Sequence, residues 1–431
     1  MPTPSLLIVP ARFKTGRLYS QIPTNTDNRG DFTVTRNTAA RRFDSAGLVA
    51  SVASGIPRLD YYTSGGTAGC PALLVEPAGT NQCQRSEEFN NAFWFRSGLN
   101  AFGSGSVANT TATLDPYGTN VADYIQEDST PSTTHLVIGI FSGNVSGTTY
   151  TWSVFAKAAE RTIINLFNNG GGGGNANFNL ITGIATLTAG VSASMQNYGN
   201  GWWRCALTYT ANFGPPTTGS HNVHIRLCDA SGNATYNGTG NQGAYIFGAQ
   251  LETGSVATSY IPTTAGTGSR SADVISVSGA VSGSIGQMEG TLYAEVDLKN
   301  KGVSISRVIY LSDGTSNNEI RISHSATTAG DLQIAIRLAG NLVVNQISPT
   351  AVYFGINKIA VGYKVGTNEV VMYVNGSQII LSTSSGNMPA CNTIHLGSQL
   401  GTSNFLNDRI RAAALYTTRL TNAELATLTT L

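Results

Sequence analysis

Hydrophobic and polar residues alternate with a period of two through much of the chain, which is the pattern of half-buried β-strands. Residues 149–157 and 290–298 show the longest alternation, and an Asn-Gly pair at 375–376 predicts the tight turn of a hairpin. A helix is predicted only near the end, where Thr421 and Glu424 have the spacing of a capping box. The pattern therefore predicts an all-β protein.

The predicted strands fall into more than one domain, because 431 residues exceed what one ordinary core accommodates. Residues 85–265 predict a jelly roll, and residues 290–431 predict a second β-sandwich, with a linker at 266–289. Residues 1–84 are predicted to form an extended N-terminal arm and an irregular collar. The expected order along the chain is therefore arm, collar and two β-sandwich domains.

The arm contains too little apolar surface for a core of its own. Two interpretations are open: the arm packs on another part of the structure, or it anchors the protein to a partner. The candidate anchoring residues are apolar and aromatic side chains near the N-terminus: Leu6, Leu7, Ile8, Val9, Phe13 and Tyr19.

Composition narrows the classes of partner. Charged residues make up 11% of the chain, against about a quarter in an average soluble protein. The net charge is +1 and the longest basic run is Arg41-Arg42, so we expect neither nucleic acid nor an anionic membrane as a partner. No apolar run approaches the roughly 20 residues that span a bilayer, and no signal peptide is visible. We therefore expect a protein made in the cytoplasm, without membrane insertion.

The five cysteines are odd in number and lack the spacing of a metal site. Cys205 and Cys228 lie in apolar strand patterns and are predicted to be buried free thiols. Cys70 and Cys83 could lie close enough to bridge, and the sequence leaves their bonding open.

The collar is irregular, and its charged residues Arg58, Asp60 and Glu76 are spaced so that they could tie loops together. The following motifs succeed one another along it: Arg42–Leu48, Ile56–Tyr61, Cys70–Asn81, Ser86-Glu87 and Trp94. This series resembles a segment common in tail, fibre and head-decoration proteins of tailed bacteriophages. The resemblance implies a virion structural protein that contacts other virion proteins through its N-terminal arm and, by analogy with such fibres, a homotrimer.

Two further resemblances concern the sandwiches. The first sandwich is similar to carbohydrate-binding-module-like jelly rolls of phage structural proteins. The residues that carry this similarity are Trp152–Lys157, Gly201–Cys205, Phe247–Glu252 and Ala257–Thr263. The second resembles a laminin-G or concanavalin-A-like lectin domain at these positions: Gly290–Leu292, Tyr373–Gly376, Ile394–Gly397 and Ile410–Glu424. These resemblances imply the folds, and more weakly a sugar ligand.

Candidate catalytic and metal-binding groups are few. Glu295 and Asp297 would share one face of a strand, as a glycan-cleaving pair requires, but no third acid follows within reach. The oxygen-rich run Asp313–Asn318 could bind calcium, although a turn without a ligand is the favoured interpretation. We therefore expect a protein that is not an enzyme and needs no cofactor.

Aromatic residues supply the candidate glycan site, because sugar rings stack on exposed aromatic faces. Trp202 and Trp203 are adjacent on a predicted strand, so one should lie in the core while the other faces solvent, a groove or a partner subunit. Tyr198 and Tyr236 lie on predicted loops that could line the same rim.

The hypothesis from sequence is a phage virion protein displayed on the head or tail as a fibre, spike or decoration subunit, with a host-surface glycan as its candidate ligand. A glycan-cleaving tailspike and a bacterial surface lectin or adhesin are the alternatives, and a bacterial lectin would need the secretion signal that is not visible here. Head or tail location, copy number and the identity of the glycan stay open.

Overall fold

The structure is a computed structural model. It describes residues 1–23, 30–62, 69–100, 112–170, 173–213, 218–298, 305–324, 332–349, 353–365, 369–383 and 387–431. Strands account for 52% and helix for 3% of the protein, arranged in antiparallel sheets. The predicted all-β fold class is therefore confirmed.

Short strands occupy the described part of the first 84 residues: β1 (Leu6–Ile8), β2 (Phe13–Lys14), β3 (Arg17–Leu18), β4 (Phe32–Thr35), β5 (Ala40–Phe43), β6 (Val49–Val52), β7 (Leu59–Asp60), β8 (Ala72–Val75) and β9 (Gly79–Asn81). Longer strands then follow: β10 (Phe95–Ser97), β11 (Asp123–Gln126), β12 (Thr133–Thr134), β13 (Leu136–Val145), β14 (Thr149–Ala158), β15 (Ile163–Asn168), β16 (Gly174–Asn179), β17 (Ile184–Leu187), β18 (Ser192–Asn197), β19 (Trp202–Thr210), β20 (Thr218–Leu227), β21 (Thr235–Tyr236) and β22 (Gly243–Thr253).

The remaining elements include a 3₁₀ turn at Ala280–Ser284 and one α-helix, α1 (Asn422–Thr429). The strands of this part are β23 (Gly268–Arg270), β24 (Val274–Ser278), β25 (Glu289–Leu298), β26 (Ser306–Ser312), β27 (Glu319–His324), β28 (Leu332–Leu338), β29 (Asn341–Ile347), β30 (Gly355–Lys364), β31 (Glu369–Val374), β32 (Ser377–Thr383), β33 (Thr393–Leu396) and β34 (Asp408–Tyr416).

The N-terminal sandwich consists of two sheets that enclose one apolar core. Among the described residues, one sheet has the order β10-β13-β20-β15-β16-β17 and the other has the order β11-β22-β14-β19-β18. Trp94, Trp152 and Ile225 are buried between them. The alternation predicted for residues 149–157 is seen in β14, where Trp152, Val154 and Ala156 face this core.

The C-terminal sandwich encloses a second apolar core, which contains Leu292, Ile322 and Val361 among others. Within the described residues, its first sheet has the order β32-β31-β30-β25-β34-β8-β7, with β1 also paired to β34. Its second sheet has nine strands in the order β2-β3-β4-β24-β33-β26-β27-β28-β29. Strands from the start of the chain therefore complete both sheets.

Several described strands of residues 1–84 pair with strands of the C-terminal sandwich. Leu7 pairs with Ala414, Val34 pairs with Ile275, and β8 pairs with β34. Short strands leave backbone N–H and C=O groups unpaired unless they join a sheet, and β1, β4 and β8 find their partners in the C-terminal sandwich. The predicted boundaries at residues 84, 265 and 289 stay predictions.

Two local predictions are confirmed. Asn375 and Gly376 have φ values of 50° and 85°, the left-handed backbone that a two-residue hairpin turn requires. The side chain of Thr421 accepts a hydrogen bond from Glu424 N, and Glu424 Oε2 accepts one from Thr421 N at 2.8 Å, so the capping box opens α1 as expected. None of the described helices is long and apolar enough to cross a membrane.

Candidate functional site

The predicted aromatic rim is not formed. Trp202 is 1% exposed, and its Nε1 donates to the Leu114 carbonyl at 2.8 Å. Tyr236 is 9% exposed and donates its hydroxyl proton to Glu127 Oε2 at 2.7 Å. Trp203 packs partly buried against the N-terminal core on the opposite face of β19. The two tryptophans face opposite sides of β19, as predicted. Trp202 and Tyr236 are both buried, so neither can stack on a sugar.

Tyr198 lies where the collar meets the N-terminal sandwich. Its ring centroid is 4.4 Å from that of Phe43 and 4.7 Å from that of Phe155. Its backbone N–H donates to the Trp202 carbonyl, whereas Tyr236 belongs to a separate hairpin with β12. The structure thus does not bring the four predicted residues together.

The candidate anchoring residues lie in different environments, some buried and some exposed. Leu6 and Ile8 are buried in the core of the C-terminal sandwich, which corrects their assignment as contacts to another protein. Leu7 packs against a smaller cluster beside α1, and Tyr19 lies under the cationic groups of Arg12 and Lys14. Val9 and Phe13 are exposed.

The predicted charge ties are present as a buried group that we call the junction cluster: Arg36, Arg58, Arg270, Glu76 and Asp273. Arg58 Nη1 donates to Glu76 Oε2 at 2.6 Å, and Arg58 also contacts Asp273. Arg36 Nη1 lies 3.0 Å from Asp273 Oδ1, and Arg270 Nη2 lies 3.3 Å from Glu76 Oε2. Burial alone would raise the pKa of Glu76, but Arg58 and Arg270 hold it well below its ordinary value.

The junction cluster connects three parts of the chain. Arg58 and Glu76 come from the collar, and Asp273 comes from the segment that leads into β24. Ser259, in the loop after β22, donates from its backbone N–H and its hydroxyl to Glu76 at 2.8 and 2.7 Å. Collar and sandwiches are therefore joined through buried, charge-assisted hydrogen bonds.

A cavity of about 60 Å³ adjoins this cluster and is lined by Tyr198, Arg204 and Arg409 among others. Its volume corresponds to about two water molecules. Arg409 donates to Asp60 Oδ2 at 2.8 Å, a second tie that involves a collar carboxylate. The size and the paired charges make this cavity part of the joint between domains.

The carboxylates considered for catalysis and calcium binding are engaged by other groups. Glu295 Oε1 accepts a hydrogen bond from Arg411 Nε at 2.6 Å, and Asp297 on the same face interacts electrostatically with Arg409. Asp313 accepts hydrogen bonds from Thr315 and Asn318 of its own turn. Among the described residues, no group of three His, Cys, Asp or Glu side chains could hold a metal ion. All five cysteines are free, including Cys70 and Cys83.

A polar face that the sequence did not single out lies on the nine-stranded sheet, away from the apolar core. Register places its members side by side: Tyr310 opposes Arg321, which opposes Ala335 on the next strand, while Glu319 opposes Arg337. Isoleucines alternate with these residues along the strands and point into the core. We call the group Arg307, Arg321, Arg337, Glu319 and Gln333 the arginine face.

The arginine face carries three positive charges against one negative charge, an excess of two. Glu319 contacts Arg321 and lies 3.4 Å from Arg337 Nε. Burial lowers the pKa of Arg307 to about 10. Burial and the neighbouring guanidinium groups of Arg307 and Arg337 also lower the pKa of Arg321, against the smaller opposing effect of Tyr310.

Several buried polar atoms on this face have no hydrogen-bond partner among the described residues. They are Nε of Arg307, Nε of Arg321, Oε2 of Glu319, Oε1 of Gln333 and Nδ1 of the adjacent His395. Each such atom costs roughly 1–3 kcal/mol if nothing satisfies it. Buried hydrogen-bond donors without a partner and an excess of positive charge are together typical of a binding site for a polar ligand.

The strands of this face could be read from the sequence, since residues 319–323 alternate strictly. The alternation predicts polar side chains on one side of β27, but a half-buried strand with a solvent-facing side has the same pattern. What marks the site is the cross-strand proximity of three arginines, which depends on the pairing of β26, β27 and β28 and is not visible in any one strand.

No protein-family model and no curated protein matches the chain. Among solved structures, it is similar to the CBM40 of Ruminococcus gnavus IT-sialidase bound to α2,3-sialyllactose, with 16% identity and a TM-score of 0.30 over 34% of this chain and 84% of that one. It is also similar to a mutant NanB sialidase from Streptococcus pneumoniae, with 18% identity and a TM-score of 0.31 over 35% and 26%. A third similar structure is a SAP-like pentraxin from Limulus polyphemus, with 13% identity and a TM-score of 0.25 over 32% of this chain and 68% of that one. These values are too low to assign a family, so the β-sandwich fold rests on the sheets themselves.

Proposed function

We propose that this protein is a non-enzymatic virion subunit of a tailed bacteriophage, displayed on the head or tail, that binds host-surface glycans through the arginine face. The observation that carries the binding function is the set of unpaired, buried hydrogen-bonding atoms on a strongly cationic sheet face. Amide, guanidinium and hydroxyl groups are the donors and acceptors with which proteins recognise saccharide oxygens.

The virion role is supported by the residues that carry the phage resemblance. Arg58 and Glu76 of the collar motifs lie at the centre of the junction cluster, which joins the two sandwiches. A display subunit must hold its binding domain at a fixed position relative to the particle, and buried ionic ties between domains provide such a joint. Of the candidate anchoring residues, Val9 and Phe13 are exposed, and these two are proposed to contact other virion proteins. A homotrimer is proposed by analogy alone.

Binding rather than cleavage is favoured because Glu295 is paired with Arg411. Retaining glycosidases place two carboxyl groups about 5 Å apart, with one held protonated. The Glu295 carboxylate is instead occupied by the Arg411 guanidinium, so it is not free to serve as one of such a pair.

The test is localisation of the chain in purified particles by mass spectrometry and cryo-EM, with its copy number. We expect it at a head or tail surface in multiples of three. A chain that is absent from particles but secreted by a bacterium, and that still binds glycans, would contradict the virion role and favour the surface-lectin alternative.

A further inference from the structure

We infer that the arginine face binds the carboxylate of an acidic sugar, such as a uronic or sialic acid residue, in preference to neutral saccharides. This inference rests on the proposed glycan binding and specifies the chemical class of the ligand. It follows from the depth of the guanidinium groups, their charge balance and the atoms left unpaired.

The first step is the depth of the face. Arg321 is 5% exposed although it points away from the apolar core, and Arg307 is equally buried. Arg337 is more open, with 28% of its side chain exposed, and the neighbouring edge strand β29 contains exposed residues such as Asn345. The face thus has two buried cations, Arg307 and Arg321, beside the partly exposed Arg337 and the polar residues of β29.

The second step is the charge balance. The one carboxylate, Glu319, contacts Arg321 and Arg337 but not Arg307. Arg321 lies close enough to Arg307 and Arg337 for their positive charges to repel its own. A ligand anion placed among them would offset this repulsion in a poorly solvated environment, where charge interactions are strong. A neutral ligand would leave the repulsion unchanged.

The third step is the match of groups. A guanidinium offers parallel N–H donors that fit the two oxygens of a carboxylate. The Nε atoms of Arg307 and Arg321 have no partner among the described residues, whereas the other two guanidinium nitrogens of Arg307 donate to Ser323 Oγ and Gln399 Oε1. Asn345, which accepts a hydrogen bond from Gln333 and is exposed on β29, offers its amide to sugar hydroxyls. Ala335, opposite Arg321, contributes only a methyl group beside it.

Nucleic acid fits this face less well. Proteins that bind duplex DNA commonly neutralise about 6–10 phosphates, whereas this face has three arginines and the whole chain has a net charge of +1. A single carboxylate on a sugar needs only one group of arginines of this size.

The experiment measures binding of the full chain to uronic-acid and sialic-acid oligosaccharides by calorimetry. The matched ligands are the same oligosaccharides after chemical reduction of their carboxyl groups to alcohols. We expect at least about tenfold weaker binding of the reduced forms, the effect of losing charge-assisted hydrogen bonds. Binding should also weaken as salt concentration rises.

The variants are Arg321→Gln and Arg337→Gln, each expected to weaken binding of the acidic oligosaccharides about tenfold or more. Arg337→Gln keeps the test valid if Arg321→Gln does not fold, because its side chain is partly exposed. Arg411→Gln, on the other sheet of the same sandwich, is the matched control and should bind like the wild type.

The outcomes separate the two proposals. Equal binding of acidic and reduced oligosaccharides would overturn the acidic-sugar inference and leave glycan binding in place. Absence of binding of both the acidic and the reduced oligosaccharides to the wild-type chain would overturn both. Equal affinity for acetate, inorganic phosphate or a polyglutamate peptide, lost in the same variants, would make the face a general anion site and overturn the assignment to a sugar.

Discussion

The junction cluster buries three arginines and the arginine face buries two beside the partly exposed Arg337, and the two groups differ in what the guanidinium groups contact. In the junction, two carboxylates serve three arginines, and Arg36 donates further hydrogen bonds to the carbonyls of Thr38, Ile56 and Ala53. On the face, the one carboxylate contacts Arg321 and Arg337 but not Arg307. Arg307 donates to Ser323 Oγ and Gln399 Oε1 and Arg337 donates to the Gly340 carbonyl, but the Nε atoms of Arg307 and Arg321 have no partner among the described residues.

This difference separates structural arginines from binding arginines. Burial of a charge is tolerated when nearby groups compensate it, as they do in the junction, where one Nε atom, that of Arg270, lacks a partner among the described residues. The arginine face retains uncompensated charge, and natural proteins accept such a cost mainly where function requires it. The comparison predicts opposite responses to the same kind of substitution.

The largest expected effect is at the junction. Arg58→Met removes the central cation and leaves Glu76 and Asp273 short of positive charge, so we expect a loss of about 3–5 kcal/mol in the free energy of unfolding. Chemical denaturation followed by circular dichroism measures it. Arg85→Met, which breaks the surface pair with Glu88, is the control and should cost about 1 kcal/mol or less. A similar value for both variants would contradict the structural role of the junction.

The same change on the arginine face should have a much smaller or opposite effect on stability. Arg307→Met removes a buried charge that is repelled by its neighbours, so we expect the free energy of unfolding to change by no more than about 1 kcal/mol, or to rise. Denaturation under the same conditions gives the comparison with Arg58→Met directly. A loss as large as that of Arg58→Met would show that both clusters serve stability.

The junction should also govern acid stability. The pKa of Glu76 is lowered in the folded protein, so its contribution is complete above its unfolded pKa of about 4.3 and is lost as the pH falls below that value. Unfolding curves at pH 3–7 should therefore show less pH dependence for Glu76→Gln than for the wild type. Identical slopes for the two proteins would contradict the ionised state of Glu76.

The smallest effect is expected at the carboxylate once considered catalytic. Glu295→Gln breaks a partly exposed ion pair with Arg411, worth about 0–1 kcal/mol, and should leave any glycan turnover unchanged. Product analysis after long incubation with acidic oligosaccharides checks this. Turnover by the wild type that disappears in the variant would establish the tailspike alternative.

Sequence patterns predicted what depends on neighbouring residues. Strand alternation predicted the all-β class, and the pair Asn375-Gly376 predicted a hairpin turn. The spacing of Thr421 and Glu424 predicted the helix cap, and the charges of Arg58 and Glu76 were expected to tie loops together. These features follow from local backbone preferences and from charges within one segment.

Features that depend on distant pairing were missed. The pairing of Leu7 with Ala414 joins the two ends of the chain, and no local pattern reports it. Trp202 was considered as a sugar platform because strand alternation exposes one of two adjacent residues, but residues near Leu114 cover that face. The arginine face likewise exists only because the register of β26, β27 and β28 aligns their polar positions.

The most direct test of the central claim is a crystal structure of the full chain in complex with a carboxylated oligosaccharide. The account predicts the ligand carboxylate within hydrogen-bonding distance of the Nε atoms of Arg307 and Arg321, with the sugar ring toward Arg337 and Asn345. A ligand bound elsewhere, with only water on those two arginines, would contradict it.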